Sequence, residues 1–146
     1  MVRVEVNMVV PDSLEALALY ESIFDVERLE VTNFEKGMNE AIFSMYGTRF
    51  HMLDENPEYM LIAPKGGIQP MWMNVLVPDI KATYAKAMAA GCVEIQPVKE
   101  LPAMGVSNAI FQDPFGFQWL LHQVHRVISF EERLRIMEDC VRKGQL

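Results

Sequence analysis

Hydrophobic and polar residues alternate along the first ten positions of the chain. Valine and methionine occupy the even positions, whereas Arg3, Glu5 and Asn7 fall between them. A period of two residues is typical of a β-strand with one buried and one open face. The pattern therefore predicts a strand over residues 2–10, with Val2, Val4, Val6, Met8 and Val10 facing the core.

A helical pattern follows this strand directly. Asp12 stands where an N-cap is expected, and Glu15 follows three residues later, as in a capping box. Apolar residues then recur at helical spacing and predict a buried stripe. The residues of this stripe are Leu14, Leu17, Ala18 and Phe24. Alternating segments at 26–33, 39–46 and 48–54 predict three more strands.

The hexapeptides NMVVPD and NVLVPD, 67 positions apart, mark an internal repeat. Residues 4–31 laid over residues 71–98 share eight identities in 28 positions without a gap. Ala-Ile-Phe at 41–43 recurs at an offset of 68, and Gly47 recurs as Gly116 at an offset of 69. Each copy is therefore predicted to have the order β-α-β-β-β. The elements predicted in the second copy are a strand at 71–77, a helix at 79–90, and strands at 93–98, 106–112 and 117–124.

This repeat predicts an α+β fold in which one domain, residues 1–146, contains two βαβββ modules. Residues 1–54 form module 1, residues 71–124 form module 2, and the proline-containing and glycine-containing segment 55–70 links them. A C-terminal helix is predicted at 129–143, beginning with Ser129 and Glu132 as a second capping box. The apolar residues that should dock this helix are Phe130, Leu134, Met137 and Val141.

The charge and composition of the chain argue against some classes of binding partner. The net charge is −7 and the isoelectric point is about 4.9, which argues against nucleic acid or an anionic membrane surface. No apolar run approaches the roughly 20 residues that a membrane-spanning helix needs. Cys92 and Cys140 lack the spacing of a metal or redox motif and are expected to be free thiols in a reducing cytoplasm.

The paired modules, the Val-Pro-Asp that opens each helix, and DPFGFQWLLH at 113–122 resemble the vicinal oxygen chelate superfamily. This superfamily includes glyoxalase I, extradiol dioxygenases, and the bleomycin- and fosfomycin-resistance proteins. The segments ALALYESIFDVERLE, FHMLDENPE and SFEER are most similar to its PhnB-like branch. The resemblance implies that each module forms half of a cup around a small molecule, often with modules exchanged within a homodimer.

The resemblance also implies four metal-ligand positions, on the first and last strand of each module. They fall at Glu5, His51, Trp72 and Leu120, and the repeat offsets of 67 and 69 agree with this register. Neither an indole nor a leucine side chain can supply a metal ligand, so a metal-free pocket is expected. The alternative is a shift of one strand step, which would offer a divalent ion Glu5, His51 and His122.

Period two places a mixed polar and aromatic set on one face of the strands, opposite the apolar face that carries Trp119. The set comprises Glu5, Asn7, Arg49, His51, Trp72, Asn74, Gln118, Leu120 and His122. Such a face predicts binding of a small organic molecule, with Trp72 as an aromatic floor. Two alternatives stay open: a metal-dependent lyase, isomerase or dioxygenase, and a homodimer interface lined by the same residues.

Overall fold

The computed structural model describes residues 1–144; residues 145–146 of the predicted domain lie outside this range. The strands are β1 (Val6–Val10), β2 (Val26–Val31), β3 (Glu40–Met45), β4 (Thr48–Asp54), β5 (Met73–Leu76), β6 (Val93–Leu101), β7 (Val106–Gln112) and β8 (Gln118–Val124). The helices are α1 (Ser13–Ile23), α2 (Ile80–Ala89) and α3 (Phe130–Arg142). Short 3₁₀ turns occur at Pro57–Tyr59 and Pro102–Met104. The predicted α+β order of two βαβββ modules and a C-terminal helix is confirmed.

The strands form two sheets with the same topology. Their orders are β1-β4-β3-β2 and β5-β8-β7-β6, and the first strand of each module pairs in parallel with the last. Asn7 pairs with His51 in one sheet, and Asn74 pairs with Leu120 in the other. Equivalent positions therefore differ by 67 on β1 and β5 and by 69 on β4 and β8, as the repeat predicts.

An aspartate starts the helix of each module. Asp12 accepts hydrogen bonds from the backbone N–H groups of Leu14 and Glu15, at 3.0 and 3.1 Å. Asp79 accepts one from Ala82 N–H at 3.1 Å. These bonds satisfy donors that have no partner within the first turn of a helix. The predicted N-caps are confirmed.

Helices α1 and α2 contact one another and lie between the two sheets. Their shared core contains apolar side chains from both sheets, including Phe43 and Met52 from the first and Trp119 from the second. The Trp119 ring centroid lies 5.1 Å from those of Tyr20 and Phe24, at the end of α1. Because the apolar faces of the sheets meet across this core, their polar faces point to opposite sides of the molecule.

Asp113, the first residue of the Asp-Pro-Phe-Gly turn, joins the two modules inside this core. Its Oδ2 accepts hydrogen bonds from Tyr20 Oη at 2.5 Å and from Trp119 Nε1 at 2.9 Å. Its Oδ1 accepts from the N–H groups of Phe115 and Phe117, which shapes the turn. Burial raises the pKa of the Asp113 carboxyl, and these four donors oppose that shift.

The sequence prediction for the start of each module is wrong in its bounds. β1 begins at Val6, and Val2 and Val4 lie almost fully in solvent because they precede the pairing with β4. β5 begins at Met73, so Trp72 and the exposed Met71 lie before the strand.

The predicted stripe of α1 is also partly wrong. Ala18 is exposed, whereas Ala16, Leu17, Tyr20 and Ile23 are buried. The buried face is rotated because α1 packs against the second sheet as well as its own.

The C-terminal helix lies outside the shared core. Its apolar residues Phe130, Leu134, Met137 and Val141 are 38–61% exposed, so the predicted docking face is not covered within the described chain. The segment that leads to α3 is held in place by Gly105. The carbonyl of Gly105 accepts hydrogen bonds from the N–H groups of His125 and Arg126. A Cβ at Gly105 would lie 2.4 Å from the carbonyl oxygen of Arg126, so only glycine fits there. None of the helices within residues 1–144 is both long and apolar enough to cross a membrane.

Candidate functional site

The polar face of module 1 carries charged residues that pair with each other. Glu5 Oε1 lies 2.6 Å from Arg3 Nε and 2.7 Å from Arg49 Nε. Burial acts to raise the pKa of Glu5, but the two guanidinium groups together hold it below its usual value. Asn7, beside this group on β1, is exposed.

His51 lies on the same face and pairs with a residue that the sequence analysis missed. Its Nε2 is 2.8 Å from Oε2 of Glu40, at the start of β3. Ile42 pairs with His51 across the strands, and Glu40, two positions earlier, shares its face. Alternation in β3 could have placed Glu40 on this face, but the contact depends on strand register.

The polar face of module 2 borders a cavity of about 680 Å³, between the sheet and the start of α3. The residues that line it are Asn74, Leu76, Leu101, Met104, Val106, Asn108, His122, Val124, Arg126, Val127, Ile128, Ser129, Phe130 and Arg133. Asn74 and His122 are therefore the only members of the predicted set found among these lining residues. Nδ1 of His122 is buried and, within residues 1–144, has no hydrogen-bond partner.

The other predicted residues of module 2 lie elsewhere. Trp72 is 43% exposed, and its indole N–H donates to the carbonyl of Gln69 at 3.0 Å. Gln118 is buried at the opposite end of β8 and pairs with Gln112. Leu120 lies on β8 between Gln118 and His122 and pairs with Asn74 on β5. The structure does not bring Trp72 to the cavity as a floor.

Several residues that line the cavity were not predicted as site residues. They lie on β7, on the segment after β8 and on α3, which were not expected to form part of the site. Asn108 on β7 pairs with His122 and accepts a hydrogen bond from Gln96 Nε2 at 2.7 Å. Arg126, Phe130 and Arg133 come from the segment after β8 and from α3. Alternation along β7 could have identified Asn108, whereas the position of α3 has no local signal.

The four family positions for a metal do not fit one in this chain. Trp72 and Leu120 supply no ligand, and the carboxylate of Glu5 is already flanked by Arg3 and Arg49. His122 belongs to the sheet whose polar face points away from Glu5 and His51. Within residues 1–144, no three histidine, cysteine, aspartate or glutamate side chains gather closely enough to hold a metal ion.

The thiols add no reactive group to either face. Cys92 is buried in the core, and burial, together with the nearby carboxylate of Asp113, raises its pKa to about 12. A thiol with such a pKa is a poor nucleophile at neutral pH. Cys140 is half-buried on α3, and both are free thiols, as expected.

The sequence matches the model of a known family. The chain belongs to the Glyoxalase/Bleomycin resistance protein/Dioxygenase superfamily, whose model matches residues 3–121. No protein of curated function matches it at a significant level.

Similar solved structures share the fold at low sequence identity. The fosfomycin resistance protein FosX from Listeria monocytogenes, complexed with Mn(II) and sulfate ion, gives a TM-score of 0.68 at 15% identity, covering 94% of this chain and 99% of FosX. TioX from Micromonospora sp. ML1 gives 0.62 at 19% identity, covering 88% of this chain and 100% of TioX. A family enzyme from Burkholderia phytofirmans PsJN gives 0.66 at 19% identity, covering 82% and 96%.

Proposed function

We propose that this protein is a cytoplasmic, PhnB-like member of its superfamily that binds a small organic molecule without a metal ion. The observation that carries the proposal is the cavity against β5 and β8. It has the size of a small-ligand site, mostly apolar walls and a few polar groups. His122, Asn74 and Asn108 are among these polar groups.

The proposal includes a homodimer that completes each cup. The polar faces of modules 1 and 2 point to opposite sides of one chain, so they cannot close on one ligand. A second chain can place its module 1 face over the module 2 face of the first. The module 1 face, with its pairs of Arg49 with Glu5 and His51 with Glu40, would then cover the cavity. Light scattering should give a dimer, and a stable monomer at micromolar concentration would contradict this part of the proposal.

Binding at this cavity can be tested with a fragment library followed by amide NMR shifts. Fragments should shift resonances around Asn74, Asn108 and His122, and His122→Ala should abolish these shifts. His125→Ala is the matched control, because His125 is an exposed histidine that contacts Ser107 and does not line this cavity. Fragment binding that survives His122→Ala unchanged would contradict the proposal.

The alternative is a metal-dependent lyase, isomerase or dioxygenase that uses Glu5 and His51 with His122 of a second chain. The contacts of two of these three donors argue against it, because Glu5 already pairs with Arg3 and Arg49, and His51 already pairs with Glu40. We expect less than about a tenth of an equivalent of transition metal after purification without chelator. Near-stoichiometric zinc, nickel, manganese or iron that is lost in Glu5→Ala or His51→Ala would favour the alternative.

A further inference from the structure

We infer that the cavity of module 2 takes a small organic anion with an apolar body, and that Arg133 on α3 holds its charge. This inference rests on the proposed function and names the chemical class of the ligand. It depends on the charges of the cavity lining, on the contacts of its two arginines, and on the placement of its polar and apolar groups.

The charge of the lining is opposite to that of the protein. The chain has 20 acidic and 13 basic residues, yet the cavity is lined by Arg126 and Arg133 and by no aspartate or glutamate. A positive patch in an otherwise acidic protein attracts anions locally and disfavours cations. Neutral ligands would gain nothing from this arrangement, so it favours an anion.

The two arginines differ in how far they are already engaged. Arg126 donates to the carbonyl oxygens of Pro102 and Ala103 and lies 3.6 Å from Glu132 Oε1. In the described part of the chain, the guanidinium of Arg133 makes no ion pair or hydrogen bond. It lies 5.3 Å from the centroid of the Phe130 ring. Arg133 is therefore the cation available to a ligand, and a planar guanidinium binds a carboxylate through two parallel hydrogen bonds.

The lining residues other than the two arginines indicate where a ligand needs polar groups and where it needs apolar ones. Asn74, Asn108 and His122 lie on paired strands and offer hydrogen bonds on the sheet side. Most of the other lining side chains are apolar, among them Leu76, Val106, Val124 and Phe130. A ligand that reaches from the sheet to Arg133 therefore needs an apolar middle, with its charged group towards α3.

The test compares 1-naphthoate with its neutral isostere 1-naphthamide by calorimetry on the full-length protein. The naphthoate should bind about tenfold more tightly, and added salt should reduce the difference. Arg133→Gln should weaken naphthoate binding about tenfold while leaving the amide unchanged. The control is Arg135→Gln, which removes the same charge from the same helix at a position that does not line this cavity. It should leave both affinities unchanged.

The outcomes separate this inference from the proposed function. Equal affinity for the two probes, lost in His122→Ala, would overturn the anion inference and leave the binding function standing. A loss in Arg135→Gln as large as in Arg133→Gln would overturn the role of Arg133, since it would show general attraction to the helix. Failure of both probes to bind overturns the inference, whereas the fragment experiment at His122 decides the proposed function separately.

Discussion

Modules 1 and 2 have the same strands in the same register, but they carry different chemistry on their polar faces. In module 1, Glu5 pairs with Arg3 and Arg49, and His51 pairs with Glu40. In module 2, the equivalent face borders a cavity whose lining, within residues 1–144, includes no aspartate or glutamate. The comparison shows that two copies of one backbone can differ in chemistry: one polar face carries ion pairs, and the other borders a cavity.

The modules also differ in how the last strand holds the start of the helix. Asp54 at the end of β4 accepts four hydrogen bonds: two at 2.7 Å from N–H and Oγ of Ser13, and others from the N–H groups of Gly37 and Asn39. Gln123, its equivalent on β8, accepts one at 2.9 Å from Ile80 N–H. The anchoring of strand to helix is preserved, but only module 1 does it with a buried carboxylate.

The largest expected effect is on the core that joins the modules. Trp119→Ala should lower the free energy of unfolding by about 3–5 kcal/mol, because it removes a fully buried ring that packs on both modules. Trp72→Ala should cost less than about 1 kcal/mol, since its ring is 43% exposed. Urea denaturation measures both. The reverse ranking would show that the facing of β8 is inverted.

The second largest expected effect compares Asp54 and Gln123, the residues that hold the start of the helix in each module. Asp54→Ala should destabilise the protein by about 3 kcal/mol, because it leaves several buried donors without an acceptor. Gln123→Ala should cost about 1 kcal/mol, since only the N–H of Ile80 loses its partner. Equal losses of unfolding free energy in urea denaturation would show that Asp54 stabilises its module no more than Gln123 does.

The charge of Asp54 adds a dependence on pH that Gln123 cannot show. Burial acts to raise the pKa of Asp54, but hydrogen bonds from Ser13, Asn39 and Gly37 together lower it below its usual value of 3.8. Its stabilising contribution is therefore present above that value and is lost as the pH falls through the lower pKa of the folded state. The stability gap between wild type and Asp54→Asn should narrow below about pH 4. The gap for Gln123→Ala should stay constant over the same range.

The smallest expected effect compares the turns between the last two strands of each module. Gly47 and Gly116 both have positive φ, at 86° and 96°, which disfavours any side chain. A Cβ at Gly47 meets nothing within 4 Å, whereas one at Gly116 would lie 3.0 Å from Pro64 Cβ. Gly47→Ala should cost about 1 kcal/mol and Gly116→Ala about 2 kcal/mol. Equal changes in melting temperature would show that Pro64 moves aside freely.

The sequence predicted those features that depend on local periodicity. The repeat offsets of 67 and 69 correctly related the two modules, since Asn7 pairs with His51 as Asn74 pairs with Leu120. Alternation placed Trp119 in the core, and Asp12 and Asp79 were recognisable as caps. The caps and the facing of Trp119 follow from neighbours within one strand or one helical turn, and the offsets follow from comparing the two copies of the repeat.

Features that depend on contacts between distant segments could not be predicted in this way. The hydrogen bond from Tyr20 to Asp113 joins residues 93 positions apart, and it lies on the buried face of α1, which excludes Ala18. The pairing of His51 with Glu40 depends on the register between β3 and β4. An apolar stripe shows that α3 needs a surface, but it does not show that the helix borders a cavity through Phe130 and Arg133.

The opposite orientation of the two polar faces has a consequence for assembly. A contact between the module 1 face of one chain and the module 2 face of another joins unlike surfaces. Two such contacts made at once close a symmetric pair, whereas single contacts would continue as an open fibre. In the closed pair, ligand occupancy and association are linked by mass action. Dilution should then release the ligand, and apparent affinity should fall as the protein concentration is lowered.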